Sequence, residues 1–146
     1  MQIEVRIDES VTEPKVLILT DRITGEISDL VRKLSEDAQQ VIAGFRGDTV
    51  TLLDEKELLR IYASGGKVYA VTAGGEYLLR SRLYEMEDRL RPFSFVRISN
   101  SEIINLKRVR SFDLSLAGTI CVRLGDGSRA YVSRRYVPKI KEVLGI

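Results

Sequence analysis

At 146 residues the chain has room for one domain and a small appendage, and 44% apolar against 30% charged residues describes a soluble chain able to bury a core. It has no histidine and one cysteine, which excludes histidine-based nucleophile triads and an internal disulfide, and leaves a zinc site with only Cys121 and carboxylates to draw on. The net charge of +2 is unevenly spread: residues 1–40 carry −4, residues 41–90 carry −1 and residues 91–146 carry +7, a distribution that suits a polyanionic partner for the last third.

The chain opens with "IEVRI" (3–7), which alternates with period two and reads as a strand, and "KVLIL" (15–19) after Pro14 reads as a second. Ile23, Ile27, Leu30, Val31 and Leu34 then recur at helical spacing, with Asp21 or Thr24 as the cap and an end near Asp37. Residues 1–40 therefore form a small, acidic β-β-α segment with one apolar stripe, to be buried against the remaining domain or a second copy.

From residue 41 to 146 the pattern is that of a second, mostly-β domain carrying short helices. "TVTLL" (49–53), "LLRIYA" (58–63), "KVYAVT" (67–72) and "EYLLR" (76–80) are strand-like and separated by the turn signals "SGG" and "AGG". A short helix follows, with Ser81 as cap, Leu83, Met86 and Leu90 on one face, and Pro92 at its end. "FSFVRI" (93–98), "VRSFDL" (109–114), "TICVRL" (119–124) and "RAYVS" (129–133) continue the strands, and "YVPKIKEVLG" closes the chain as an amphipathic helix stopped by Gly145.

No apolar run approaches the ~20 residues of a membrane span, and the N-terminus lacks a signal-peptide core, so the expected location is the cytoplasm. "SGGKV" (64–68) is not a phosphate-binding loop. Ile61 stands where the first glycine belongs and Val68 where the magnesium-binding hydroxyl belongs, so a hairpin turn displaying Lys67 is expected. Cys121, between the core-facing Ile120 and Val122, is expected to be an ordinary strand residue. No acid–base constellation, metal set or cofactor motif is present in the pattern, so no enzyme activity, metal or cofactor is expected.

Two stretches break the strand pattern. "RISNS" (97–101) sets three short polar residues between core segments, as a turn or as a loop tip able to approach a groove. "SRRY" (133–136) puts two arginines at the start of the last helix, where backbone N–H groups and fork-shaped donors favour anions or the O6/N7 edge of guanine.

Together, Phe95, Arg97, Ser101, Ile103, Ile104 and Asn105, followed by Ser133, Arg134, Arg135 and Tyr136, resemble the LytTR-type DNA-binding domain of bacterial transcriptional regulators over about residues 45–146. The resemblance implies an α+β, mostly β fold, an elongated set of small, mainly antiparallel sheets with short helices. It implies a transcriptional regulator that binds double-stranded DNA without a recognition helix, its loops entering successive major grooves, usually at direct repeats. By the same resemblance Asn100 and Arg135 are base readers and Lys67 a looser match. Arg97, Ser99, Lys107, Arg108 and Arg134 are phosphate contacts or supports, with Ser99 standing where many members have histidine. Arg97 would anchor the tip, either through the tip's backbone or through a phosphate. The resemblance is to members without a receiver domain, which implies a membrane-bound inhibitor as a partner. Direct repeats call for two copies, so residues 1–40 are expected either to self-associate as a homodimer surface, where that inhibitor would also dock, or to cap the β domain. The rival function is a single-strand or RNA-binding β module, which needs stacking aromatics on the basic face. Tyr69, Tyr131 and Tyr136 are the candidates for it.

Overall fold

Alternating apolar residues joined by tight glycine turns give antiparallel hairpins from residue 41 onward. The computed structural model describes residues 1–35 and 41–146, and the chain divides into two units, Met1–Leu34 and Ser35–Ile146. In the first unit α1 spans Gly25–Ser35. Thr24 caps it: its hydroxyl accepts from the Ile27 N–H at 3.4 Å and its carbonyl from the Ser28 N–H at 2.9 Å. The helix end expected near Asp37 lies outside the described residues. The strands expected at 3–7 and 15–19 are not formed. A tight turn sits between them, with the Asp8 carbonyl accepting from the Val11 N–H at 3.1 Å, but two short strands without further partners are marginal in water.

The second unit contains a seven-stranded antiparallel sheet. Its strands are β1 (Val41–Arg46), β2 (Thr49–Asp54), β3 (Leu58–Ser64), β4 (Lys67–Thr72), β5 (Gly75–Leu79), β6 (Phe95–Ser99) and β7 (Glu102–Asn105), in the order β2-β1-β5-β4-β3-β7-β6. A three-stranded sheet, β10-β9-β8, is built from β8 (Val109–Asp113), β9 (Ile120–Leu124) and β10 (Arg129–Val132). Helix α2 (Leu83–Leu90) interrupts the first sheet between β5 and β6, and α3 (Val137–Leu144) ends the chain with Gly145 in the left-handed conformation. The cap of α2 is Arg82 rather than Ser81, and its own N–H donates to Glu85 Oε1 at 3.2 Å, the glutamate half of a capping box.

The large sheet is the shared wall of two cores. On one face Ile61, Ala70 and Ile103 pack with Leu83, Met86 and Leu90 of α2. On the other, Leu59, Ile98 and Ile104 pack with Ile120, Val122 and Leu124 of β9, Val132 of β10 and Ile140 of α3. Alternation gives the sheet its two buried faces, and two register shifts adjust it. One between Leu58 and Arg60 turns Leu59 and Arg60 to the second core's side, and another between Arg97 and Ser99 interrupts the pairing just before the polar tip, after Ile98 has joined that core. Cys121 is buried, paired across the small sheet with Asp113 and Tyr131. The strand β1 has no counterpart in the sequence reading because Gly44 weakens its pattern. That glycine is required by packing, since a Cβ there would stand 2.8 Å from both Leu53 Cδ1 and Tyr77 Cβ.

Glu55, in the turn after β2, is buried. Burial pushes its carboxyl above the usual range, with neighbouring Asp54 adding to the shift and Lys56 and Lys107 opposing it. A carboxyl raised in the folded state binds its proton more tightly there than in the unfolded chain. Its charge therefore costs stability above that raised value, and the cost fades as pH falls through it. Glu55→Gln is accordingly expected to raise the urea midpoint at neutral pH, with the difference from wild type shrinking on acidification below the raised value. Midpoints that are equal at neutral pH would contradict this.

Candidate nucleic-acid interface

Three loops lie side by side at one end of the large sheet, and hydrogen bonds join them into a row. The first is the β3–β4 hairpin, whose two-residue turn has Gly65 at φ 58° and Gly66 at φ 78°, the paired positive angles that favour glycine in a type I′ turn. This turn displays Lys67, opposite Ser64 and exposed. The second is the tip Ser99-Asn100-Ser101 between β6 and β7, tied to the hairpin where the Ala63 N–H donates to the Ser101 carbonyl at 2.8 Å. The third is the corner Ser133–Tyr136 leading into α3, tied to the tip strand where the Ser133 N–H donates to the Ile98 carbonyl at 2.9 Å.

The tip itself is held by Arg97. Its Nε donates to the Ser99 carbonyl at 2.8 Å, one terminal nitrogen donates to the Asn100 carbonyl, and the other donates to Glu87 Oε1 of α2 at 3.0 Å. Both side chains of this ion pair are mostly buried, so the guanidinium is held inside the fold rather than displayed. Of the two anchors expected for Arg97, the structure contains the bonds to the backbone of the tip. Ser99 works locally, its hydroxyl accepting from the Ser101 N–H at 3.2 Å. Asn100 is exposed at the apex, and Tyr136 Oη donates to its Oδ1 at 3.1 Å, which orients the amide group.

Arg134 and Arg135 are both exposed on the short 3-10 turn Arg134–Tyr136. They differ in surroundings. The Arg134 guanidinium rests on the β8–β9 loop, where a Cβ on Gly118 (φ 73°) would come within 2.9 Å of its Nε. Lys67, Ser99, Asn100, Arg134 and Arg135 are therefore on the linked loops. Lys107 and Arg108 are not. They follow β7 at the far end of the sheet, beside the start of β3, about 20 Å away along that strand. Arg108 is also engaged in the fold, donating to the Lys56 carbonyl from Nε at 3.0 Å and from a terminal nitrogen at 2.6 Å.

Two further residues belong to this frame without having been singled out as supports. Asn105 is buried, donating to the Leu58 carbonyl at 2.8 Å and accepting from the Lys107 N–H at 3.0 Å, so it joins β7 to β3 at the end opposite the tip. Glu87 holds Arg97; its only sequence signal is an acid on the helix before an arginine strand. Of the three stacking aromatics of the rival reading, Tyr131 is exposed on β10 and the other two are differently used. Tyr69 stacks on Tyr62 with ring centres 5.2 Å apart, and Tyr62 donates to the carboxylate of Glu76 at 2.8 Å, an acidic neighbour unsuited to a strand of phosphates. Tyr136 is turned to Asn100.

A family model described as the LytTr DNA-binding domain matches residues 48–145. The chain belongs to the LytTr DNA-binding domain family. A solved LytTr DNA-binding domain from Bacillus cereus superposes with a TM-score of 0.71 at 21% identity, covering 74% of this chain and 99% of that one. Relatives called uncharacterised HTH-type transcriptional regulators, from Staphylococcus aureus strains NCTC 8325 and COL, are each 28% identical over 147 residues, covering 100% of this chain and 99% of theirs. Although those relatives carry a helix-turn-helix name, no two consecutive α-helices occur among the described residues of this LytTr chain, where strands separate α1, α2 and α3. No described helix is long and apolar enough to cross a membrane.

Arg97→Ala is expected to cost about 1–3 kcal/mol, because it removes three hydrogen bonds and leaves Glu87 unpaired. Amide exchange should quicken at Asn100 and Ser101 well beyond what the loss of global stability explains. Exchange at the tip that keeps pace with the rest of the sheet would show that Arg97 does not hold it.

Proposed function

We propose that this chain is a transcriptional regulator that binds double-stranded DNA in a sequence-specific manner, reading successive major grooves with the linked loops rather than with a helix. The observation that carries this reading is the tip. Asn100 stands exposed at its apex, on a backbone clamped by Arg97, with its amide oriented by Tyr136. A side chain that reads a base edge has to be held in one orientation before contact, and this one is.

In this account Asn100 and Arg135 contact bases and Lys67 contacts a base edge or the adjoining backbone. Asparagine matches the N6/N7 edge of adenine and arginine the O6/N7 edge of guanine. Arg134 and Ser99 flank them on phosphates, Lys107 meets the backbone farther along the duplex, and Arg97 and Arg108 act as internal supports. Two copies occupy direct repeats as a homodimer on the DNA. The chain works in the cytoplasm, and its acidic first 40 residues stay off the DNA and take part in self-association or in docking an inhibitor. Membership of the LytTr family and the regulator names of the relatives support the DNA reading.

Selection of bound duplexes from a random pool tests it. Wild type should enrich a defined repeat. Arg135→Ala and Asn100→Ala should each cost about 1–3 kcal/mol and relax preference at one position. Lys107→Ala should weaken all sequences alike and flatten the slope of log affinity against log salt by about 0.9. An unchanged preference in Arg135→Ala, or affinity independent of salt, would overturn the reading.

A further inference from the structure

The segment Ile3-Glu4-Val5-Arg6-Ile7 is exposed in a way no lone strand sustains. Ile3, Val5 and Ile7 are 89%, 83% and 94% accessible, and among the described residues the backbone of 3–7 makes no backbone hydrogen bond. In the extended conformation of a strand, alternate residues project to opposite sides, so these three would share one face and Glu4 and Arg6 the other. In the structure the Arg6 Nε meets Glu4 Oε1 at 3.0 Å. A tight turn at Asp8–Val11, with Asp8 Oδ1 accepting from the Ser10 N–H at 3.0 Å, ends the segment.

The pattern reads the same from either end in its apolar positions and inverts in its charges. We infer that residues 3–7 pair antiparallel with the same residues of a second copy, with Val5 on the two-fold axis. In that register Ile3 faces Ile7 of the second copy, and Glu4 faces its Arg6 twice over, once from each strand. All four charges are then matched across the pair. A parallel pairing would set Glu4 beside Glu4 and Arg6 beside Arg6, which like-charge repulsion disfavours. The two-fold arrangement is also the isologous form that self-complementary surfaces adopt, and it is a symmetry of the paired N-terminal strands alone, not of the direct repeats proposed for the DNA. A two-stranded ribbon needs more apolar cover to persist in water. The rest of this unit supplies it: Val16, Leu17 and Leu19 are exposed beyond the turn, and Val31 and Leu34 are half-exposed on α1. The occupant of the face is thus a second copy of this chain, chosen by its own charge order, and the inference stands apart from the DNA reading.

Sedimentation equilibrium of the full chain without DNA, at low salt, tests it. Wild type should dimerise. Glu4→Arg and Arg6→Glu should each weaken the dimer at least about tenfold, because each turns two attractive cross-strand pairs into repulsive ones. The double variant Glu4→Arg/Arg6→Glu should restore wild-type association, and a mixture of the two single variants should form heterodimers. A wild type monomeric at the highest soluble concentration, single variants that dimerise as wild type does, or a double variant no better than the singles would each overturn the pairing. Affinity for one DNA half-site, measured on the same proteins, should not change, which separates failure of this pairing from failure of the DNA reading.

Discussion

The fork of Arg97 is the contact on which the candidate site depends. Its side chain reaches back along the strand it belongs to, donates to two successive carbonyls of the tip and fastens the assembly to Glu87 on α2. A polar loop of three residues has little apolar surface with which to order itself, and fixing its backbone costs about 1–2 kcal/mol per residue in lost freedom. Charge-assisted bonds from a mostly buried guanidinium offset that cost. Lysine has the charge but not the planar fork, so the residue type follows from the geometry.

The clamp needs a stable mount. The large sheet supplies one because both of its faces are packed, α2 with the first core and the small sheet with α3 against the second. Alternation lets the tip strand serve both cores at once, with Arg97 toward α2 and Ile98 toward β9 and α3. Movement of either helix would therefore reach the tip, through Glu87 on one side and through Tyr136 on the other.

Much of this was legible in the amino-acid order, and the parts that were not have common causes. β2 to β6, β8 to β10 and α2 follow from alternation, glycine turns and helical spacing, since each element signals locally, whereas β7 was expected only as a core segment after the polar knuckle. β1 was missed because Gly44 answers to Leu53 and Tyr77, which are distant in sequence. The strands expected at 3–7 and 15–19 carry the right pattern but are not formed; alternation reports which residues suit a sheet, not whether one is available. The same gap separates residue type from role. Arg97, Arg108 and Arg135 look alike in sequence, yet Arg97 is mostly buried on the tip's carbonyls, Arg108 donates to a carbonyl from an exposed position, and Arg135 is exposed. The bond from Tyr136 to Asn100 joins residues 36 apart, and no spacing rule points to it.

Hydrogen–deuterium exchange of the full chain, with and without its selected duplex, tests the central claim most directly. The account predicts that DNA slows exchange at the β3–β4 hairpin turn, at Asn100 and Ser101 and at Arg134–Tyr136 together, while the β1–β2 edge is unaffected. Protection centred on the β1–β2 edge or on α2, with the three loops unchanged, would contradict it.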